Sequence, residues 1–197
     1  ASNNTAVGKD ALRANTTGAQ NTAVGHLSGA TNTTGTDNAF FGRQSAYVNS
    51  TGSYNTGIGT YTLLANTTAS NNTAVGWRAA ASNTTGGQNT AIGTGAAEKL
   101  TTGSDNVIIG YVAGAHDVYL TTGAGNVIIG NYADTTAADS AFANVMGYNV
   151  SGAGGYTTLG QAGSDIRAVH GNVTWATVSD ERYKKDIVDS TAGLSFI

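Results

Sequence analysis

The sequence predicts an all-β protein, a repeat β-solenoid or β-roll built from 17-residue coils. Three observations lead there. A pentapeptide opening on Asn and closing on Gly recurs as NTAVG at Asn4, Asn21 and Asn72, NAFFG at Asn38, NTGIG at Asn55, NTAIG at Asn89, and NVIIG at Asn106 and Asn126. The interval is 17 residues throughout, apart from a 20-residue step between the two NVIIG copies. A companion element keeps the same register, as NTTG at Asn15, Asn32 and Asn83, NSTG at Asn49, NTTA at Asn66, and LTTG at Leu100 and Leu120. Finally, 28 glycines and no proline in 197 residues fit neither a linker nor an ordinary enzyme. Alanine supplies much of the hydrophobic content, so the interior is expected to be narrow and layered.

Each unit is too short for a helical hairpin. Its centre is apolar and rich in β-branched residues, with Asn, Thr and Gly clusters on either side, which reads as strand, turn, short strand, turn. The constant glycine (Gly8, Gly25, Gly42, Gly59, Gly76, Gly93, Gly110, Gly130) supplies either a corner with positive φ or a close approach of stacked backbones. The Asn column is placed to stack as an amide ladder, one rung per coil at about 4.8 Å, giving a stub roughly 35 Å long. The three extra residues of the long step fall in YVAGAHDVYL, residues 111–120, as a loop on one coil. Past residue 131 the period fades into Gly-punctuated strand-like pieces. The organisation is therefore repeats over 1–130, an irregular β segment over 131–178, and a chemically distinct end over 179–197.

Successive strand residues point to opposite faces. The third position (Ala6, Ala23, Phe40, Ile108, Ile128) and the fourth (Val7, Val24, Phe41, Ile109, Ile129) are both apolar, and a strand apolar on both faces is covered twice. One cover is its own coil; the other is expected to be neighbouring copies of the chain. The small third column reads as the side of close subunit approach, with packing that thickens toward Ile108 and Ile128. A cyclic homo-oligomer follows, most simply a homotrimer, intertwined or side by side about a fibre axis.

With no cysteine, disulfides and thiolate metal sites are excluded. The balance of 9 Lys and Arg against 12 Asp and Glu leaves no basic stripe, so nucleic acid is not an expected partner. No apolar run approaches a membrane span. The chain starts without Met or a signal peptide and reads as part of a longer protein. His26, His116 and His170 share no short spacing, and there is neither a nucleophile elbow nor a phosphate loop, so no metal or cofactor is expected. The insertion carries a candidate ligand patch, Tyr111, His116, Asp117 and Tyr119, suited to sugar stacking and hydrogen bonding. Trp77 and Trp175 read as packing or interface residues. The Thr column of the pentapeptide (Thr5, Thr22, Thr56, Thr73, Thr90) reads as turn-flanking residues that satisfy backbone groups. An ice-binding face needs an unbroken exposed Thr column, and Ala39, Val107 and Val127 interrupt this one. The N-x-T sequons, such as Asn15, Asn32 and Asn83, follow from the repeat.

The end of the chain changes chemistry. Asp180, Glu181, Arg182, Lys184, Lys185, Asp186 and Asp189 crowd into eleven positions of a chain otherwise poor in charge. The i to i+4 pairs Glu181 with Lys185 and Arg182 with Asp186 predict a short helical segment. SDERYKKDI (Ser179 to Ile187) resembles the junction that opens the peptidase S74 family, the intramolecular chaperone of phage tail fibres and tailspikes. The match covers nine residues: Ser-Asp, a Lys five after the Ser, then an acidic residue and Ile. The repeats, over residues 1 to about 147, are similar to those of phage tail fibres and of trimeric autotransporter adhesin heads.

The resemblance implies an extracellular homotrimeric virion tail fibre that contacts a host cell-surface glycan or protein and other tail proteins. It also implies a C-terminal chaperone that nucleates assembly and then cuts itself off between Ser179 and Asp180. Ser179 would supply the reactive hydroxyl and Lys184 would be its partner. The pairing is chemically sound, since a Ser hydroxyl needs a neighbouring base, and Lys serves when cations such as Lys185 and Arg182 lower its pKa. Only 18 residues follow Ser179, too few for that chaperone domain, so cleavage is expected of a longer parent and not of this chain. A register-fixing chaperone suits such a repeat, because identical coils pair almost as well when slipped by one. Its removal would leave the fibre kinetically trapped. Three rival readings stand beside this one: a bacterial trimeric adhesin head at the cell surface, an ice-binding solenoid, and a glycan-degrading spike. The last needs carboxylates about 5 to 10 Å apart in a cleft, for which the sparse acidic residues are poor material.

Overall fold

The computed structural model describes residues 1–171 and the backbone of residues 176 and 177. Trp175, the S74-like residues Ser179, Asp180 and Lys184, and the expected terminal helix lie outside the described residues. Within them the protein is all-β, without helix. Eight three-residue strands stack in sequence order: β1 (Thr5–Val7), β2 (Thr22–Val24), β3 (Ala39–Phe41), β4 (Thr56–Ile58), β5 (Thr73–Val75), β6 (Thr90–Ile92), β7 (Val107–Ile109) and β8 (Val127–Ile129). All pair in parallel with repeat-equivalent residues opposite one another, as Ala74 opposite Ala91. The long step leaves the rung undisturbed, with Val107 opposite Val127.

The stack continues beyond the last legible pentapeptide. After the short β9 (Asp134–Thr135), β10 (Asn144–Tyr148) pairs with β8 at the same 17-residue interval, Asn144 opposite Val127. β11 (Ser151–Gly152) joins β9 in a small second sheet, and β12 (Tyr156–Gln161) still runs parallel to β10. Then β13 (Ser164–Val169) and β14 (Ala176–Thr177) turn antiparallel and end the twelve-stranded sheet with a meander. The expected second strand in each coil forms only as β9 and β11. Elsewhere the remaining arc is turn, held by side-chain ladders and by residues of positive φ.

Two asparagine columns supply those ladders. In the first, each side-chain oxygen accepts the backbone N–H of the next coil's Asn, as Asn38 N–H to Asn21 Oδ1 at 3.0 Å and Asn55 N–H to Asn38 Oδ1 at 2.9 Å. Its Nδ2 donates to a carbonyl of the following coil, Asn38 to Gly52 O at 2.9 Å. In the second column the amides bond one another directly: Asn32 Nδ2 to Asn15 Oδ1 at 2.9 Å, Asn49 to Asn32 at 2.8 Å, Asn66 to Asn49 at 2.7 Å. Asn32, Asn49, Asn66 and Asn83 are fully buried, so in the folded coil these sequon asparagines offer no amide to a glycan. Where Leu100 replaces Asn the second ladder stops, and Asn83 Oδ1 is left buried without a donor, a cost of about 1–3 kcal/mol.

The glycine column behaves as its position predicts. Gly76 has φ 126°, and a Cβ there would lie 2.6 Å from the carbonyl oxygen of Gly93. Three further positions per coil take left-handed backbone, most of them without glycine, as Tyr54, Tyr61 and Leu63 do in one coil. Such conformations cost roughly 1–2 kcal/mol each. They persist because the N–H of each is bonded to a neighbouring coil: Tyr54 to Thr36 O, Tyr61 to Arg43 O and Leu63 to Ala79 O, all at 3.0 or 3.1 Å.

The two apolar strand columns separate cleanly. The third, Ala23, Phe40, Ala74, Ala91, Ile108 and Ile128, is wholly buried inside the coil. The fourth faces out, with Val7 55%, Ile58 45% and Ile129 37% exposed. The expectation that the small third column is the subunit-facing side is therefore corrected. Those residues are small because the interior is thin, and facing coils trade volume across it: Phe40 packs where Gly29 and Gly57 carry no side chain, a Cβ on Gly29 lying 2.9 Å from the Phe40 ring. Ser45 fills the remaining space through hydrogen bonds to Gly57 O (3.0 Å) and Thr62 Oγ1 (2.8 Å).

Asn49→Asp tests the ladder, because it removes the Nδ2 donor to Asn32 Oδ1 and Gly52 O and sets acceptor against acceptor. Urea denaturation should show a loss of roughly 3 kcal/mol. Leu100→Asn should bring no gain, since it satisfies Asn83 Oδ1 but turns its own oxygen toward the apolar Leu120.

Candidate functional site

The insertion at residues 111–120 is built around one carboxylate. Asp134, in β9, is buried, and its Oδ2 accepts the backbone N–H groups of His116, Asp117 and Val118 at 3.1, 3.0 and 3.0 Å. Its Oδ1 accepts the N–H of Thr135 at 2.8 Å. Burial pushes this carboxyl above the usual carboxylate range, while the four N–H donors pull the other way. Three successive amides gathered on one oxygen fix the backbone of the added residues, so the loop is held against the next coil.

That loop presents an aromatic cluster. Tyr132 sits at its centre, edge to face with Tyr111 (centroids 5.3 Å apart, 88°) and with Tyr148 (5.9 Å, 79°). The His116 ring lies 4.6 Å from Tyr132. Withdrawal from water, then the neighbouring phenols Tyr111 and Tyr148, raise the pKa of the Tyr132 hydroxyl. His116 Nδ1 is 3.1 Å from Asp117 Oδ1, close enough to pair as ions when the ring is protonated but out of hydrogen-bonding alignment. Asn131 Oδ1 accepts the N–H of Tyr111 at 3.1 Å and steadies the start of the loop.

Of the four residues expected to form a ligand patch, Tyr111, His116 and Asp117 come together here. Tyr119 points elsewhere, its ring 5.9 Å from Lys99 Nζ. Tyr132, Tyr148 and Asp134 complete the cluster and were not anticipated. Asp134 had a readable signal: counting from the strands, it occupies the column that holds Leu12, Gly29, Ala46, Leu63, Ala80, Ala97 and Gly114 in earlier coils. An acid in a core column is a functional or architectural mark. Exposed rings beside an exposed carboxylate suit stacking and hydrogen bonding to a polar ligand. No group of His, Asp and Glu among the described residues is arranged to hold a metal.

A second aromatic and charged grouping lies on earlier coils. Arg78 pairs with Glu98 (Nη2 to Oε1 2.7 Å, Nε to Oε1 2.9 Å) and lies 5.3 Å from the centroid of the exposed Trp77. Trp77 thus packs on one side against a cation and stays open on the other.

Asp134→Ala provides the check on this architecture. The alanine side chain accepts nothing, so the three loop N–H groups lose their acceptor and hydrogen exchange at His116–Val118 should rise by at least about ten-fold, one 1.4 kcal/mol step within the 1–3 kcal/mol cost of an orphaned donor. The strands on either side should keep their protection.

Comparison of the chain with protein-family models, with curated proteins and with solved structures gives no match, so the resemblances carried by the repeats and by Ser179 to Ile187 rest on those residues.

Proposed function

We propose that this chain is the shaft of a homotrimeric fibre of the phage tail fibre or tailspike kind, a structural protein for host attachment. The observation that carries the reading is the outward fourth column. Val7, Phe41, Ile58, Ile92, Ile129 and Met146 stand 37 to 55% exposed in one line along the stack. The second strand column beside them is Thr, Ala or Val from β1 to β8, so the strip carries no charge across those eight strands. A continuous apolar strip of that length on a single chain marks an interaction surface. A second and third copy of the same chain fit it best, because equal rung spacing lets every coil meet its counterpart at the same height.

The trimer number and the virion setting come from the resemblance of the repeats and of Ser179, Asp180 and Lys184 to fibres carrying an S74 chaperone. In that reading the C-terminal element aligns three chains, and cutting between Ser179 and Asp180 releases it. The insertion cluster around Tyr111, Tyr132 and Tyr148 is then the part of the shaft fitted to touch a host glycan.

Two measurements test the proposal. Native mass spectrometry of the chain should find three copies, and Ile58→Asp should yield single chains with unchanged far-ultraviolet circular dichroism; a wild-type chain that stays single at all concentrations removes the fibre reading. For the full-length gene product, denaturing mass spectrometry should show a wild-type species ending at Ser179 and an uncut Ser179→Ala variant.

A further inference from the structure

The threonine column singled out in the sequence is not the regular one. Thr5, Thr22, Thr56, Thr73 and Thr90 lie on the outward strand face, broken by Ala39, Val107 and Val127. The unbroken column belongs to the companion element. It starts at Thr17 and recurs every 17 residues as Thr34, Thr51, Thr68, Thr85 and Thr102, with Thr122 following after the insertion. Every member is exposed.

The column is also rigid. Every backbone N–H of the column except that of Thr68 bonds to the next coil, as Thr17 to Thr33 O at 3.1 Å, Thr51 to Thr67 O at 3.2 Å and Thr85 to Thr101 O at 3.3 Å. The residues just before it, Thr16, Thr33, Ser50, Thr67, Thr84 and Thr101, use their hydroxyls to bond the next coil's carbonyl at 2.9 or 3.0 Å. The inner hydroxyls are thus committed to the fold, whereas the outer ones are exposed and make no hydrogen bond among the described residues. Flanking positions through five coils carry no charge: Ala14, Thr31, Val48, Ala65 and Ser82 on one side, and Ala19, Thr36, Ser53, Ser70 and Gly87 on the other.

We propose that this column, from Thr17 to Thr122, is a face that orders water and adsorbs to ice. A hydroxyl held at each rung, about 4.8 Å apart, repeats close to the oxygen spacing along one axis of hexagonal ice. The methyls between them favour structured hydration, and the fixed backbone removes the entropy cost of arranging the donors. The two columns that flank it carry no charged group, which would orient water differently, over the first five coils. The face lies on a different arc of the coil from the apolar strip of the fourth column, ten residues further along each 17-residue repeat.

The experiment is nanolitre osmometry with the purified chain, recording crystal shape and thermal hysteresis. Faceted ice crystals and measurable hysteresis are expected for the wild type and for Arg43→Ala, which lies on another column. Thr68→Arg and, on a separate rung, Thr34→Lys should each lose the hysteresis while keeping the wild-type circular dichroism spectrum and melting temperature. Round, unmodified crystals with the wild-type chain would overturn the proposal, as would hysteresis that survives both folded variants.

Discussion

Everything in this structure depends on each coil satisfying the polar groups of the next. A 17-residue turn of chain with three strand residues cannot bury enough apolar surface to stand alone. What holds it is the transfer of hydrogen bonds along the axis: backbone N–H and C=O through the parallel sheet, and amides through two asparagine columns. Asparagine suits this role because it carries a donor and an acceptor on one planar group, so it can give to one coil and receive from the other. No other side chain of that size does both with fixed geometry except glutamine, whose extra methylene would not fit so narrow an interior.

The same dependence explains why strained backbone is tolerated. Left-handed residues such as Leu63 and Tyr54 cost energy alone, yet each places its N–H where a neighbouring coil's carbonyl waits. The strain is offset only inside the stack, which makes folding cooperative from coil to coil. The glycine corners work the other way. They are unstrained, and they are required because the next coil's backbone passes where a Cβ would be.

Much of this was legible in the sequence. Period, strand core, glycine corner, first amide ladder and the loop character of residues 111–120 all follow from residue type and spacing, since strict repetition makes each column vote many times. The legibility failed where a column changed identity. Ala143 takes the place of the ladder Asn, with its N–H still donating to Asn126 Oδ1 at 2.8 Å, and the backbone role survives a substitution that erases the pattern. Which apolar face turns outward was also unreadable, because Ala and Val are equally at home on either side of a thin sheet, and only the direction of the corner decides. Asp134 was overlooked for the opposite reason: its meaning lies in the column it interrupts, and the columns are counted from strands.

The exposed fourth column is Val, Phe, Ile or Met at every rung, and sliding one chain past another by a single coil leaves three of its eight steps unchanged and swaps one apolar residue for another at the rest. A Val-for-Ile exchange alters burial by one methylene, about 0.8 kcal/mol, and only the steps at Phe41 change the side chain by much more. The apolar strip can therefore drive association without choosing its register. Polar marks could choose it, but the ladders are buried inside each coil and cannot reach a neighbour. The features that distinguish one coil from another at the surface are the residue after each glycine corner (Lys9, His26, Arg43, Thr60, Trp77, Thr94, Tyr111, Asn131), the insertion steadied by Asp134, and the antiparallel strands beyond β12. The first of these runs the length of the stack, whereas the bulkier marks, the insertion and the antiparallel strands, lie toward the C-terminal end. In the proposed fibre, a nucleating element after the last coil would fix the alignment that the apolar strip leaves open, because the strip rewards contact at any register while a separate element can reward only one.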